Sequence, residues 1–305
     1  MDNLKEVRTR KASVSSTQQI TSAMKMVSAA KFRRAQNAIL GMRPYTASLM
    51  EIIEDIDIDD GVQTPYHDVR QTKNVLIVVV TSNKGLCGAF NSNVIKQASA
   101  RLAWYAGVSP DVNVTMITIG KRGSEFFAKQ QGLLVASYDD LLDTPYFDSI
   151  SELCEKIMAD FCNKTYDVVE VVYNQFKNSL TQILTTDQML PIIASSSSKS
   201  SKSSESSESR KNSDYIFEPG KELILREMIP MTIRSNFYRI ILDSLAAEHG
   251  ARMTAMQKAT DNATELLKEL KLSYNKARQA AITNEIIEIV SGSEALKGES
   301  QVQFV

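Results

Sequence analysis

ARMTAMQKATDNATELLKELKLSYNKARQAAITNEIIEIV, residues 251–290, runs for forty residues without a glycine or proline. Through it recur Met256, Ala259, Ala263, Leu266, Leu270, Tyr274, Ala277 and Ala281, in steps of 3, 4, 3, 4, 4, 3 and 4. That is nearly a heptad with one slip, the pattern of a helix that offers a narrow stripe to a partner helix. The helical pattern reaches back to Lys221, with Pro230 expected to kink its start and Gly250 to loosen it. At the rise of an α-helix, Pro230 to Val290 would extend about 90 Å.

The opposite end of the chain reads the same way. From Asn3 to about Asp57 nothing interrupts a helix before Gly41 and Pro44, where a bend is expected. Leu4, Val7, Val14, Ile20, Met24, Val27, Ala35, Ile39, Met42, Leu49, Ile53 and Ile56 make an imperfect stripe, with Lys11 and Gln18 on its seam. Such a helix would be about 80 Å long. Neither stripe is wide enough for a helix buried in a globule, so each needs a partner. An antiparallel coiled coil of the two termini satisfies both, and pairing of each helix with its copy in a second chain would satisfy them too.

Between the helices the pattern alternates. Strands are expected at Val75–Thr81, Val112–Ile119, Leu133–Ala136, Asp167–Tyr173 and Gln182–Met189, with helices at Asn91–Tyr105, Arg122–Gln131 and Ser149–Lys164. This is the signature of a mainly parallel sheet covered by helices, a Rossmann-like α/β domain. Residues 195–213 differ: 12 of the 19 are serine, mixed with Lys, Glu and Arg, and nothing there can form a core. The expected organisation is a coiled-coil helix at 1–60, an α/β domain at 70–194, a flexible insertion at 195–213 and a second coiled-coil helix with a short tail at 214–305.

Composition excludes several classes. The 305 residues carry a net charge of −1, which signals neither nucleic acid nor an anionic membrane as the partner of the whole chain. Three cysteines, Cys87, Cys154 and Cys162, are not a disulfide framework, and their spacing with His67 and His249 fits no common zinc pattern. No apolar run approaches the roughly 18–20 residues that span a bilayer. The first 43 residues hold nine Lys or Arg against Asp2 and Glu6, but the helical pattern continues past residue 50, so a removable leader is not expected.

Chemistry is hard to find. The turn Ser82-Asn83-Lys84-Gly85-Leu86-Cys87-Gly88-Ala89-Phe90 follows the first strand, where doubly wound folds bind phosphates. Its spacing is G-x-x-G rather than G-x-G-x-x-G, and no Walker A motif occurs. Cys87 at a helix N-terminus would need a base that no motif supplies. Asp139 and Asp140 are neighbours that do not converge on one site. The basic face of the first helix, Arg8, Arg10, Lys11, Lys25, Lys31, Arg33 and Arg34, holds only Phe32 among aromatics, which suits an acidic protein loop better than bases. No catalytic residue, cofactor or metal is expected.

Several stretches carry a family resemblance. They are Leu4-Lys5-Glu6-Val7-Arg8-Thr9-Arg10, Ser16 to Val27, Arg33-Arg34-Ala35-Gln36, the turn Lys84 to Asn91, and the C-terminal runs Ser244 to His249, Ala251 to Met256, Ala259 to Ala263 and Tyr274 to Glu285. Together the chain resembles the gamma subunits of F-type ATP synthases over nearly its whole length. The resemblance implies an antiparallel coiled coil turning inside a ring of three alpha and three beta subunits. It implies an α/β domain near the epsilon subunit and the membrane c-ring, no nucleic acid, and a peripheral place on the cytoplasmic face of a bacterial inner membrane. Rotation would couple proton flow to ATP synthesis or hydrolysis at active sites on other chains.

By that resemblance Met24 and Lys25 fall near an acidic beta-subunit loop. Arg252, Arg278, Gln279, Thr283 and Glu285 fall where the shaft couples to beta subunits. Tyr215, Phe217 and Glu218 fall in the segment that faces the ring. The serine stretch is longer than the family pattern, and Lys297–Val305 extends beyond its usual end. A non-rotary coiled-coil scaffold, or an α/β enzyme with a helical dimerisation arm, would share the helices but not these motifs.

Overall fold

The computed structural model describes residues 4–60, 65–108, 111–130, 132–178, 181–192 and 220–302. Two long helices bracket the chain, α1 (Leu4–Asp60) and α5 (Lys221–Val302). Neither Pro44 nor Pro230 ends its helix. Each removes one ladder donor, and the carbonyls so released belong to Leu40 and Arg226, both with exposed side chains. Between them lie β1 (Asn74–Val80), α2 (Phe90–Val108), β2 (Asn113–Ile119), α3 (Lys121–Phe127), β3 (Leu134–Ser137), α4 (Phe147–Cys162), β4 (Val168–Phe176) and β5 (Gln182–Leu190).

The strands form one sheet in the order β3-β2-β1-β4-β5. The pairs β2–β3, β1–β2 and β1–β4 are parallel, and β5 adds an antiparallel edge. The Val/Ile run of β1 sits at the centre because both its faces are covered. Val75, Ile77 and Val79 face a core built with Val94, Ala98 and Tyr105 of α2 and Phe127 of α3. Leu76, Val78 and Val80 face a larger core built with Ile150, Ile157 and Phe161 of α4 and with Leu225, Ile229, Ile233, Phe237 and Ile241 of α5. The first part of α5 is therefore a layer of the α/β domain, which its periodicity did not announce. The turn after β2 is fixed by Gly120, whose φ is 107° and whose absent Cβ would stand 2.5 Å from the Thr81 carbonyl oxygen.

The packing divides into two compact units. One holds the described residues up to Val27 and from Thr254 onward; the other holds Ser28–Met253. Both helices contribute to both units. The 195–213 stretch lies outside the described residues.

Candidate partner-contact surfaces

In the unit built from residues 4–27 and 254–302, three contacts fix an antiparallel register. Thr260 Oγ1 donates to Thr21 Oγ1 at 2.9 Å, Gln18 Nε2 donates to Thr264 Oγ1 at 2.7 Å, and the Lys11 ammonium stands 5.2 Å from the centre of the Tyr274 ring. Lys11 and Gln18, polar residues on the seam, are thus among its joints. The burial of α1 follows an unbroken heptad through Leu4, Val7, Lys11, Val14, Gln18, Thr21, Lys25, Ser28, Phe32, Ala35, Ile39, Met42, Thr46 and Leu49, all buried or half-buried. Ile20 and Val27, expected on this stripe, are exposed. They stand one position away from seam sites that polar residues hold.

The C-terminal seam is corrected in the same way. Leu267 is buried where Leu266 was expected, and Thr260 rather than Ala259 reaches the partner helix. With those two changes the steps from Met256 become 4, 3, 4, 3, 4, 3 and 4, and the slip disappears. Extending the register places Leu4 opposite about residue 281, so α5 continues past the start of α1. The next seam positions hold Asn284 and Glu288, whereas Ile282, Ile286, Ile287, Ile289 and Val290 are all exposed. The apolar stripe leaves the seam beyond the point that faces the first described residue of α1.

The expected contact residues fall in three places. Arg278, Gln279, Thr283 and Glu285 are exposed around this projecting end, and Thr283 Oγ1 is tied back to the Gln279 carbonyl at 2.9 Å. Met24 and Lys25 are half-buried on α1, opposite a point about 20 residues earlier on α5, about 30 Å away along the axis. The structure does not bring these two sets together. Tyr215, Phe217 and Glu218 lie outside the described residues.

Arg252 sits in the other unit and is buried. Its guanidinium pairs with Glu248 one turn back and donates to the carbonyl oxygens of Lys84 at 2.8 Å and Gly85 at 3.4 Å. The first contacts of this arginine are therefore inside its own chain, clasping α5 to the turn after β1. Burial raises the Glu248 carboxyl above its usual range, against the opposing pull of Arg252 and Lys31. Burial also pushes the neighbouring His249 down to about 4, with Arg252 and Lys31 adding to the effect.

The same turn is tied to the loops after β2 and β3. Ser82 N donates to Asn91 Oδ1 at 2.9 Å, Lys121 N to Asn83 Oδ1 at 3.1 Å, Arg122 N to the Ser82 carbonyl at 3.1 Å, and Asn83 Nδ2 to the Asp139 carbonyl at 2.8 Å. The loops at the carboxyl ends of the parallel strands are stitched to one another. Cys87 is buried beneath them, its sulfur accepting from Asn91 Nδ2 at 3.2 Å. The basic side chains Arg8, Arg10, Lys31, Arg33 and Arg34 are exposed, whereas Lys11 and Lys25 hold half-buried seam positions.

The ATP synthase family model matches residues 3–296. The ATP synthase gamma chain of Flavobacterium psychrophilum is 49% identical over 300 residues, covering 98% of this chain and 100% of that one. The gamma chain of Cytophaga hutchinsonii is 49% identical over 299 residues, covering 97% and 99%. The chain belongs to the ATP synthase gamma chain family. A gamma chain is a non-catalytic subunit of ATP synthase. A chain from the cryo-EM structure of the Euglena gracilis mitochondrial ATP synthase OSCP/F1/c-ring in rotational state 3 shares the fold. Its TM-score is 0.69 at 21% identity, over 96% of this chain and 94% of that one. No helix among the described residues is long and apolar enough to cross a membrane.

Proposed function

We propose that this chain is the rotating central shaft of an F-type ATP synthase, carrying energy between proton flow through a membrane ring and the catalytic beta subunits. The observation that carries the reading is the projecting end of α5. Beyond about residue 281, past the first described residue of α1, it has isoleucines on several sides with Thr283 and Glu285 among them, and Arg278 and Gln279 just before. A helix end this apolar needs a surrounding partner. A ring of three alpha and three beta subunits supplies one on every side as the shaft turns. Rotation of an asymmetric helix changes which beta subunit meets which side chain, and a partner shifts an equilibrium only through such differential contact.

On this reading Met24 and Lys25 meet an acidic beta-subunit loop farther along the coil. Arg252 also meets a beta subunit, beside the turn at Lys84–Gly85 that it clasps. Tyr215, Phe217 and Glu218 face the c-ring, beside the epsilon subunit. The complex is peripheral to the membrane, with this chain on the cytoplasmic face of a bacterial inner membrane.

The test is purification through a tag on the native chain, followed by the mass of the intact assembly. The expected result is one copy with three each of two larger nucleotide-binding subunits. A homodimer without them would overturn the reading and favour a scaffold.

A further inference from the structure

Asp243 of α5 has a completely buried side chain, inside the run Ile240-Ile241-Leu242-Asp243-Ser244-Leu245. Two arginines reach it: Arg43 of α1 at 2.9 Å and Arg239, one turn away on α5, at 3.0 Å. Arg43 Nη2 also donates to the Phe176 carbonyl, the last residue of β4, at 2.8 Å. One guanidinium therefore touches both long helices and the sheet. All of these residues lie in the unit Ser28–Met253.

The cluster joining the helices to the sheet sets Leu242, Ala246 and Ala247 of α5 against Phe32 and Ile39 of α1, Phe90 of α2 and Phe176 of β4. Apolar contact is non-directional and fixes register less sharply than a directed ion pair. A buried ion pair is weak evidence for stability and is best attested as a device that sets register. Burial raises the Asp243 carboxyl above its usual range despite both arginines, so the group is costly to keep charged. Stability alone gives no reason for its presence.

We propose that Arg43 is a positioning residue. It keys α1 and α5 to the end of β4, so that torque applied to the α/β domain leaves through both helices instead of being lost as slip between them. This inference rests on the shaft reading above. Arg43 touches no nucleotide and acts through the register of the helices it joins.

The experiment uses the complete ATP synthase in sealed vesicles, with ATP hydrolysis and ATP-driven proton uptake read on the same sample at increasing opposing proton gradients. Arg43→Met keeps much of the stem's volume and leaves Asp243 paired with Arg239. It is expected to hydrolyse ATP at close to the normal rate while protons moved per ATP fall roughly threefold or more, the deficit growing with the gradient. Arg43→Lys keeps the charge on a shorter stem without the planar guanidinium that sets the Nη2 position, and should fall between. A ratio of uptake to hydrolysis equal to that of the unaltered chain at every gradient would overturn the proposal. If Arg43→Met fails to assemble, Arg43→Lys and Asp243→Asn carry the same measurement with the same two outcomes. The unaltered chain separates the two ideas: if it does not support coupled uptake the shaft reading fails, and if it does while the variants couple normally only the key fails.

Discussion

The same two helices are held together by opposite means in the two compact units. In Ser28–Met253, α1 brings Phe32, Ile39 and Leu49 and α5 brings Leu225, Ile229, Phe237 and Ile241, against a sheet with helices on both faces. In the coil of residues 4–27 and 254–302, the joints are Thr21 with Thr260, Gln18 with Thr264 and Lys11 over Tyr274, and the buried apolar seam is thin. Large apolar knobs make a body; small and polar seam residues specify register while contributing little adhesion.

The contrast can be broken most directly at Phe237, fully buried between α5 and the sheet. Phe237→Ala should cost about 4 kcal/mol, read as a fall in the denaturation midpoint of the full chain. Leu270→Ala in the coil seam should cost about 2 kcal/mol or less, because its neighbours can close in and water is near. If Leu270 proved the costlier, the coil rather than the body would hold the fold. Gly120→Ala should cost about 3 kcal/mol, since the new Cβ meets the Thr81 carbonyl and the φ of 107° is unfavourable for alanine.

A pH series sharpens the comparison. His249, in the body, takes up a proton near pH 6.5 when unfolded but only at about 4 when folded. The unfolded state therefore binds more protons between those values, and the body loses stability as pH falls through that window. The loss should approach about 3 kcal/mol by pH 4, and His249→Gln should flatten that part of the curve. Native-state hydrogen exchange on α5 should place the change in residues 225–250.

The smallest effect is expected for Thr21→Val with Thr260→Val. Removing both hydroxyls of a mutually satisfied pair should change stability by no more than about 0.5 kcal/mol. A large loss would mean that the polar seam holds the coil together rather than setting its register.

What could be read from the sequence follows from what is local. The two long helices and the five strands are carried by periodicity within a short window. The heptad of α1 was blurred because Lys11, Gln18, Thr21, Lys25 and Ser28 occupy seam positions, so a search for apolar residues selected Ile20 and Val27 beside them. Leu266 and Leu267 are adjacent, and periodicity alone could not choose between them. The Arg43–Asp243 pair is separated by 200 residues and has no local signature. Its one trace in the sequence is a lone carboxylate within an apolar run that turns out buried on every side. The involvement of Arg252 was legible from resemblance, but its grip on the Lys84 and Gly85 carbonyls was not, because a side chain's reach to a distant turn leaves no spacing to read.

The role of α5 as a layer of the sheet has a consequence for synthesis. One face of β1, β2 and β4 is covered by α4 together with Leu225–Leu245, and the partners of α1 on the other long helix include Leu242, Ala246 and Ala247. While the ribosome extends the chain from Phe161 to Leu225, the finished strands have a half-covered face and the first helix has none of those partners. At ordinary translation rates that interval lasts roughly several seconds. The nascent chain must pass through it with its greasiest strands open on one side, which makes it a natural client for a holding chaperone until the last third of the protein emerges.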